Sequence, residues 1–360
     1  MRLMNSFIHR AQRLLPTAPR RHLHSKQDVL DAVQEIRARL RQSIAADSAS
    51  TDAKALVANA LQPPLPSSND VFFHSERKLT EQEARILSAN VERRVSGEPL
   101  AYVIGRKEFW SLEFQVTQDT LIPRSDSEVL IETLVDQFQS QTPLQILDIG
   151  TGSGCLLLSA LHEFPQASGV GIDISPGAIA VAKQNAQLNK LDGRAEFLLR
   201  DLKTLPGLRN DAAEDQALFQ RFDVILSNPP YIPTQELGLV ASDVLEYEPH
   251  LALFSDGGPT VKNCGEDPEG LQMYRLLHES VGNLLRSDSG GTEMYRSEKE
   301  PSVNCILMEV GSEGQTRAVQ QLFSGRGKSA SPSESQLHFE RFLFDAGGKY
   351  RGLLLLGCKF

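Results

Sequence analysis

The feature that most constrains the fold is an apolar segment that leads through a glycine-rich turn into a second apolar segment. Residues 144–149 have the composition of a buried strand, residues 150–154 contain three glycines, and residues 155–163 have the spacing of a helix. Strand-like segments follow at 169–174, 196–199, 222–227, 305–310 and 351–357, and helical segments at 176–188, 270–285 and 316–323. This alternation predicts an α/β fold, with a mostly parallel sheet covered by helices on both faces.

The region before this alternation is organised differently. In residues 28–96 apolar side chains recur at three- and four-residue steps, and Thr80 with Glu83 has the spacing of a helix-capping box. Residues 97–125 contain short strand-like pieces around Tyr102 and Phe109, which indicate a hairpin. We therefore expect a helical domain at 28–96, a connector with short strands at 97–125, and the α/β domain at 126–360. Segments 206–220, 286–303 and 324–337 lack periodicity, and we interpret them as surface insertions.

The glycine-rich turn has the sequence Asp148-Ile149-Gly150-Thr151-Gly152-Ser153-Gly154. Glycines let the backbone approach a ligand closely, and a turn of this kind at the carboxyl edge of a sheet is typical of a nucleotide-type cofactor site. Cys155 stands where a dinucleotide fingerprint has its third glycine. With the acidic Asp148 before the first glycine, the pattern is that of S-adenosylmethionine (SAM) methyltransferases, and Asp148 is one of the predicted cofactor-binding residues. The alternative is a tight turn that binds no ligand.

Two carboxylates follow later strands of the pattern. Asp173 ends the next apolar strand, where a carboxylate can accept hydrogen bonds from both ribose hydroxyls of a cofactor. Its alternative role is to cap the helix that begins near Pro176. Asp201 follows the third strand, where folds of this kind place a polar contact to adenine, and its alternative role is that of an ordinary loop residue.

The segment Asn228-Pro229-Pro230-Tyr231 directly follows the predicted strand at 222–227. Two prolines restrict the backbone, so the Pro229 carbonyl is held beside the Asn228 side-chain oxygen. These two acceptors can bind both hydrogens of a planar NH2 group, while Tyr231 offers a flat face for stacking. They would push electron density towards an amide nitrogen and aim its lone pair at the SAM methyl group, without a strong base. The alternative is a plain turn at the end of a strand.

Together with several other segments, these motifs resemble the HemK/PrmC-type N5-glutamine methyltransferases of peptide-chain release factors. The additional segments are GEPLAYVIG at 97–105, EFW at 108–110, LIPRSDSE at 121–128, EPHLAL at 248–253, GLQMYR at 270–275, and EVG at 309–311 through Gln315. The resemblance extends from about residue 80 to the C-terminus and is interrupted by the predicted insertions.

The resemblance implies a small N-terminal helical domain that helps to recognise the release factor, joined to a seven-stranded Rossmann-like SAM-dependent methyltransferase domain. It implies methyl transfer from SAM to the N5 amide nitrogen of the glutamine in the Gly-Gly-Gln motif of a class I release factor. It places SAM contacts at Gly150–Gly154, Asp173, Asp201 or Leu202, and Asn228. It places the substrate glutamine on Asn228, Pro229, Pro230 and Tyr231.

The chain departs from the family pattern at several positions. Ser125, Asp126 and Ser127 replace Pro, Glu and Thr, which predicts a looser backbone there. His250 replaces the usual Arg, which puts any ion pair at that point in doubt. Leu202 stands where an aromatic residue often follows the third-strand Asp, so we expect weaker packing against adenine. The stretch 258–269 is longer than usual.

The first 27 residues differ in composition from the rest of the chain. They carry six basic residues and no acidic one, and apolar residues lie among the arginines at roughly helical spacing. This composition predicts a mitochondrial transit peptide at 1–27, with a disordered basic arm as the alternative. A mitochondrial matrix enzyme acting on a mitochondrial release factor follows from that reading. Because the whole chain carries −9, the remainder carries −15, and its partner is expected to present a basic surface.

Other function classes are disfavoured by composition. No apolar run approaches the roughly 18 residues of a membrane helix, and the four cysteines form no Cys-x-x-Cys pair that would indicate a zinc site. An adenine-N6 methyltransferase of nucleic acid is the main alternative, since adenine also carries a planar NH2 group. Its polyanionic substrate fits poorly with an acidic chain. A non-catalytic scaffold is the second alternative, although the glycines, Asp173 and Asn228 are all present.

Overall fold

The computed structural model describes residues 25–42, 48–213, 215–259, 267–286, 304–324 and 337–357. All but the last three residues of the predicted transit peptide lie outside the described residues, as do nearly all of the segments 286–303 and 324–337. The chain divides into two compact units, one up to Ile104 and one from Gly105 onward. No helix in the described part of the chain is both long enough and apolar enough to cross a membrane.

The first unit is helical. Its helices are α1 (Val29–Leu40), α2 (Ala49–Ala60), α3 (Glu81–Val95) and the short α4 (Leu100–Ile104), with a 3-10 helix at Ser68–His74. The predicted capping box at the start of α3 is confirmed, because Thr80 Oγ1 accepts from the Glu83 N–H and Glu83 Oε2 accepts from the Thr80 N–H. Apolar side chains from α1, α2 and α3 form the core of this unit.

The strand-like interpretation of residues 102–104 is wrong, because they belong to α4. The Pro99 carbonyl accepts hydrogen bonds from the N–H groups of Tyr102 and Val103, which starts the helical turn. Val103 is buried, and Leu100 and Ile104 pack against the same core. This spacing of three and four residues places the apolar side chains on one helix face, and their burial overrides the strand preference of β-branched residues.

The second unit begins with the predicted hairpin. Strands β1 (Arg106–Phe109) and β2 (Leu112–Gln115) pair antiparallel. The two turn residues, Trp110 and Ser111, have φ angles of 49° and 60°, which matches the mirror-image turn that tight hairpins favour. Phe109 and Phe114 are buried and meet edge to face, with ring centroids 6.3 Å apart.

A seven-stranded sheet forms the centre of the second unit, as predicted. Its strands are β3 (Gln145–Ile149), β4 (Ser168–Asp173), β5 (Ala195–Leu199), β6 (Val224–Ser227), β7 (Asn304–Glu309), β8 (Leu337–Phe344) and β9 (Tyr350–Gly357). The spatial order is β5-β4-β3-β6-β7-β9-β8. Strands β3 to β7 are parallel, whereas β9 pairs antiparallel with both β7 and β8. Strand β8 was not predicted from the sequence; four of its eight side chains are exposed, three are half-buried and one is buried.

Helices cover both faces of this sheet. Helices α5 (Glu128–Gln137), α6 (Cys155–Glu163) and α7 (Pro176–Leu188) pack in one apolar cluster, and α10 (Gln272–Leu284) and α11 (Glu313–Ser324) pack in the other. The short helices α8 (Ser242–Tyr247) and α9 (His250–Leu253) lie between β6 and α10 in the chain. Alternate side chains of one strand enter opposite cores: Ile146 packs in one apolar cluster and Leu147 in the other. Strand β4, which follows β3 in sequence, lies on one side of β3, and β6 lies on the other side. The strand order therefore reverses at β3. In open α/β sheets, ligands bind beside such a reversal at the carboxyl ends of the strands.

Residues 206–220, interpreted as a surface insertion, are exposed or half-buried at most described positions, but three buried side chains anchor the segment to the core. Leu208 and Leu218 are buried in the same apolar cluster as Leu284 of α10. Asp215, which is also buried, forms an ion pair with Arg200. The leucines are too widely spaced to give a helix or strand period, so their burial becomes visible only in the folded chain.

Candidate functional site

A cavity of about 690 Å³ lies at the carboxyl edge of strands β3, β4, β5 and β6. Its volume is in the usual range for small-molecule sites. The predicted site residues that line it are Gly150, Thr151, Gly152, Ser153, Asp173, Asp201, Leu202, Asn228, Pro229 and Pro230. Three predicted site residues are not among its lining: Asp148, Gly154 and Tyr231. The structure therefore brings the glycine-rich turn and most of the Asn-Pro-Pro-Tyr segment to one cavity.

The glycine-rich turn is built from left-handed backbone. Gly150, Gly152 and Gly154 have φ angles of 75°, 54° and 81°, a region that side chains disfavour. A Cβ at Gly152 would meet no atom within 4 Å, whereas one at Gly154 would lie 3.2–3.4 Å from side chains behind the turn. Gly152 thus opens towards the cavity. Gly154 allows helix α6 to begin close against the sheet, instead of lining the cofactor site as predicted.

Asp148 lies behind the turn and not at the cavity surface. Its side chain is fully buried, and its Oδ2 accepts a hydrogen bond from Thr151 Oγ1 at 2.7 Å. Burial raises the pKa of Asp148 to about 7, although the Thr151 hydrogen bond acts in the opposite direction. Asp148 therefore stabilises the turn from the protein interior. It does not line the cavity, where the predicted contact with the cofactor would require it to be.

Asp173 connects the end of β4 to the glycine-rich turn. Its Oδ2 accepts from the Gly152 N–H and its Oδ1 from the Ser175 N–H, both at 2.9 Å. The cap of helix α7 is Ser175, whose hydroxyl accepts from the Ala178 N–H, so Asp173 is not the helix cap. Burial raises the pKa of Asp173, while the two N–H donors lower it. Each carboxylate oxygen keeps further acceptor capacity for a ligand on the cavity side.

Asp201 and Leu202 follow β5 at the same edge. Asp201 caps the 3-10 helix Leu202–Gly207, with its Oδ1 accepting from the Lys203 N–H at 2.9 Å. Leu202 is half-buried and packs against the apolar cluster on its face of the sheet. These residues fit the nucleoside part of SAM: apolar surface at Ile149 and Leu202 lies beside carboxylates at the ends of β4 and β5. The open backbone at Gly152 completes a surface that this cofactor can occupy.

The Asn-Pro-Pro-Tyr segment begins where β6 ends, directly beside the glycine-rich turn. A Cβ built on Gly150 would lie 3.9 Å from the Asn228 carbonyl oxygen, and Ser227 Oγ donates to the Ile149 carbonyl at 2.9 Å. Asn228 Nδ2 donates to Ser127 Oγ at 3.1 Å. Pro229 is buried, so the segment is rigid where it meets the cavity.

Tyr231 is placed differently from the prediction. Its ring lies against Gly311, where a Cβ would come within 2.8 Å of two ring carbons, and its hydroxyl donates to Glu309 Oε1 at 3.4 Å. Burial raises the pKa of Tyr231, and the nearby Glu309 adds to that effect. The Gln315 side chain donates to the Tyr231 carbonyl at 3.0 Å. The aromatic face is therefore packed against protein, and stacking on a substrate stays a prediction.

Several residues around the cavity were not predicted as site residues. Ser127 Oγ donates a short hydrogen bond to Glu309 Oε2, and both side chains are buried. Burial raises the pKa of Glu309 to about 7, while the hydrogen bond from Ser127 lowers it. Glu248 accepts from the Ile122 N–H at 3.1 Å and pairs with Arg124. All five residues belong to segments that carry the family resemblance, so the sequence offered a signal for each residue, but none for how they pair.

The surroundings of His250 and of the possible metal-ligating side chains bear on two further expectations from the sequence. His250 lies with its Nε2 2.9 Å from the Leu245 carbonyl oxygen and its ring edge-to-face with Phe254, while the neighbouring Glu248 pairs with Arg124. Within the ranges that the structure describes, no group of three His, Cys, Asp or Glu side chains is arranged to hold a metal ion. Cys155 and Cys305 are free thiols, and burial raises the pKa of Cys155 to about 12.

Comparison with known proteins identifies the family. A family model described as methyltransferase domain matches residues 141–306, and one described as PrmC N-terminal domain matches residues 31–105. A release factor glutamine methyltransferase of Bradyrhizobium diazoefficiens is 39% identical, over 83% of this chain and 87% of the relative. The proteins of that name from Caulobacter vibrioides and Cereibacter sphaeroides are 36% and 34% identical. These matches cover 70% and 78% of this chain, and 74% and 84% of the two relatives.

The matched relatives cover both units of the fold, and the cavity carries the glycine-rich turn together with the acceptor segment. The chain is thus a SAM-dependent methyltransferase, and it belongs to the release factor glutamine methyltransferase family.

Proposed function

We propose that this chain methylates the side-chain amide nitrogen of the glutamine in the Gly-Gly-Gln motif of a class I peptide-chain release factor. The observation that carries the proposal is the shared cavity, in which Asn228 and Pro229 lie beside the glycine-rich turn. The names of the relatives support the same substrate class. When bound at the turn, SAM supplies an electrophilic methyl group.

The acceptor segment prepares the amide nitrogen for attack. Asn228 Oδ1 and the Pro229 carbonyl oxygen are each suited to accept one of the two amide hydrogens, which places the nitrogen and orients its lone pair. Positioning of this kind can lower the barrier by about 7–11 kcal/mol relative to free reactants. Acceptors directed at a developing positive charge add roughly 3 kcal/mol, by analogy with the donors of an oxyanion hole. A strong base before transfer is therefore not required.

We further propose that the enzyme acts in the mitochondrial matrix on a mitochondrial release factor. The support is compositional: the first 27 residues carry a charge of +6, contain no acidic residue and have amphipathic spacing. Fusing residues 1–27 to a fluorescent protein tests this assignment. Import into isolated mitochondria with cleavage of the fusion is the expected result, and a fusion that stays outside and uncleaved contradicts it.

The substrate is tested by mass spectrometry of a recombinant mitochondrial release factor, after incubation with SAM and the enzyme lacking residues 1–27. We expect a gain of one methyl group that maps to the Gly-Gly-Gln glutamine. A release factor with that glutamine replaced by alanine is the matched control and should gain none. If the intact factor gains no methyl group although calorimetry shows SAM binding, the substrate assignment is wrong, and labelled-methyl transfer to nucleic acid tests the adenine alternative.

A further inference from the structure

The side chains behind Asn228 form a chain of hydrogen bonds that ends on a buried carboxylate. Asn228 Nδ2 donates to Ser127 Oγ at 3.1 Å, and Ser127 Oγ donates to Glu309 Oε2. Tyr231 donates to the other oxygen of Glu309 at 3.4 Å. Ser127 is 3% exposed and Glu309 is 3% exposed, so bulk water has little access to either group. Two members of the Asn-Pro-Pro-Tyr segment are thereby joined to one carboxylate at the end of β7.

The direction of these bonds follows from counting protons. An ionised carboxylate can only accept, so the single hydroxyl proton of Ser127 is committed to Glu309. Towards Asn228 the same oxygen then offers only a lone pair, and Asn228 must present its NH2 group. An amide orientation is assigned from its hydrogen-bond network, and with Glu309 ionised this network allows only one. The opposite end of the amide, Oδ1, is left as the acceptor.

We propose that Ser127 and Glu309 are positioning residues that hold the Asn228 amide with its oxygen available to the substrate NH2 group. The proposal rests on the proposed function, in which Asn228 Oδ1 accepts one hydrogen of the substrate amide. A reversed Asn228 side chain would direct its own NH2 group at the substrate NH2 group, and two donors form no hydrogen bond. Ser127 and Glu309 act through Asn228 in this scheme and take no part in bond making.

Protonation of Glu309 undoes the arrangement. A protonated Glu309 can donate to Ser127 Oγ, which releases the Ser127 proton to point towards Asn228 and favours the reversed amide. Burial raises the pKa of Glu309 to about 7. The other titratable or charged groups whose electrostatics couple to Glu309 are Asp126, Arg351, Tyr231, Tyr274 and Cys155. We therefore expect kcat to rise with pH as Glu309 loses its proton.

The first test observes Asn228 directly and uses the protein with no substrate. The 15N-labelled side-chain NH2 signal of Asn228 is identified by its loss in Asn228→Asp and is followed by NMR from pH 5 to pH 9. It should shift in one titration step near pH 7, and the step should vanish in Glu309→Gln. If the position of the Asn228 signal changes neither with pH nor on Glu309→Gln substitution, the proposal is overturned.

The second test separates positioning from a merely structural role. Ser127→Ala should lower kcat about 100-fold, since small misplacements of reacting groups cost that much, while the SAM Kd stays within about twofold. Ser127→Thr keeps the hydroxyl, matches the family pattern, and should recover kcat to within about threefold. The control is Ser280→Ala, which removes a buried hydroxyl that donates to the Leu276 carbonyl in α10 and should leave kcat unchanged. Thermal melting of each variant reports folding.

The outcomes of the two tests are distinct. If Ser127→Ala keeps kcat, or if Ser127→Thr is as impaired as Ser127→Ala, the hydroxyl does not position Asn228. The rise of kcat with pH that accompanies the loss of the Glu309 proton is the acidic limb of the kcat profile. A Glu309→Gln enzyme that keeps this limb also contradicts the scheme. If the NMR step is present but no release factor is methylated, the proposed function fails while the hydrogen-bond chain stands.

Discussion

Two buried carboxylates lie beside the cavity and are arranged in the same way, yet they support different halves of the site. Asp148 accepts from the hydroxyl of Thr151, three residues along the same turn, whereas Glu309 accepts from Ser127, 182 positions away in the chain. Burial raises the pKa of both to about 7. The cofactor half of the site is thus organised by local sequence, and the acceptor half by contacts between distant segments.

The largest difference between the two halves is expected when the acceptor itself is removed. Asn228→Ala should lower kcat by about 100- to 1,000-fold, the cost of deleting one group that stabilises developing charge. Because the glycine-rich turn is held by the Ile172 carbonyl and by the Asp148 and Asp173 side chains, which this change leaves in place, SAM affinity should change little. Enzyme assays measure kcat, and calorimetry measures the SAM affinity. A near-wild-type kcat would refute the acceptor model.

Asp173→Ala is the corresponding change in the cofactor half. It removes a carboxylate that accepts from the Gly152 N–H and lines the cavity, so SAM affinity should fall roughly 10- to 100-fold. Asp192→Ala, at an exposed position after α7, is the matched control and should leave SAM affinity unaltered. An unchanged SAM Kd in Asp173→Ala would remove this residue from the site.

Titration separates the two buried carboxylates. A folded-state pKa raised from 3.8 or 4.5 to about 7 means that the folded protein holds a proton that the unfolded chain has lost. The stability contributed is present below about pH 4 and is lost as pH rises through about 7. Each group contributes a slope of up to about 1.4 kcal/mol per pH unit to the free energy of unfolding.

In Asp148→Asn the free energy of unfolding should therefore fall less steeply between pH 4 and pH 7 than in the unsubstituted protein, as measured by urea denaturation. It should leave the acidic limb of kcat in place, because that limb belongs to Glu309. Loss of the limb in Asp148→Asn would show that the two carboxylates are not separate.

The smallest effects are expected at Tyr231. Tyr231→Phe removes one long hydrogen bond to Glu309 and should change kcat only about two- to fivefold. Tyr231→Ala should raise the KM for release factor more than the SAM Kd, because it removes the ring that packs against Gly311 and the hydroxyl that binds Glu309, both on the acceptor side. The reverse pattern in steady-state kinetics would place Tyr231 with the cofactor half.

Much of the fold was predictable because its signals are local. The glycine-rich turn, helices α6 and α7 and strands β3 to β6 lie within a few residues of their predicted bounds. The errors arose where packing decides. Residues 102–104 are helical because Val103 enters the core of the first unit, and Leu208 and Leu218 are buried without any period in the sequence. Strand β8 was missed because it lies at the sheet edge, where half of its side chains are exposed and only one is buried.

The conformations that individual residues impose follow from the amino-acid sequence alone. Glycines at 150, 152 and 154 permit the left-handed turn, two prolines stiffen the segment after Asn228, and alternating apolar segments produce the sheet. Which residues line the cavity depends on how the distant segments pack, and this packing leaves Asp148, Gly154 and Tyr231 out of its lining. It also brought Ser127 to Glu309. Backbone preference belongs to a residue and its neighbours, whereas a hydrogen bond across 182 positions exists only when folding places the two segments side by side.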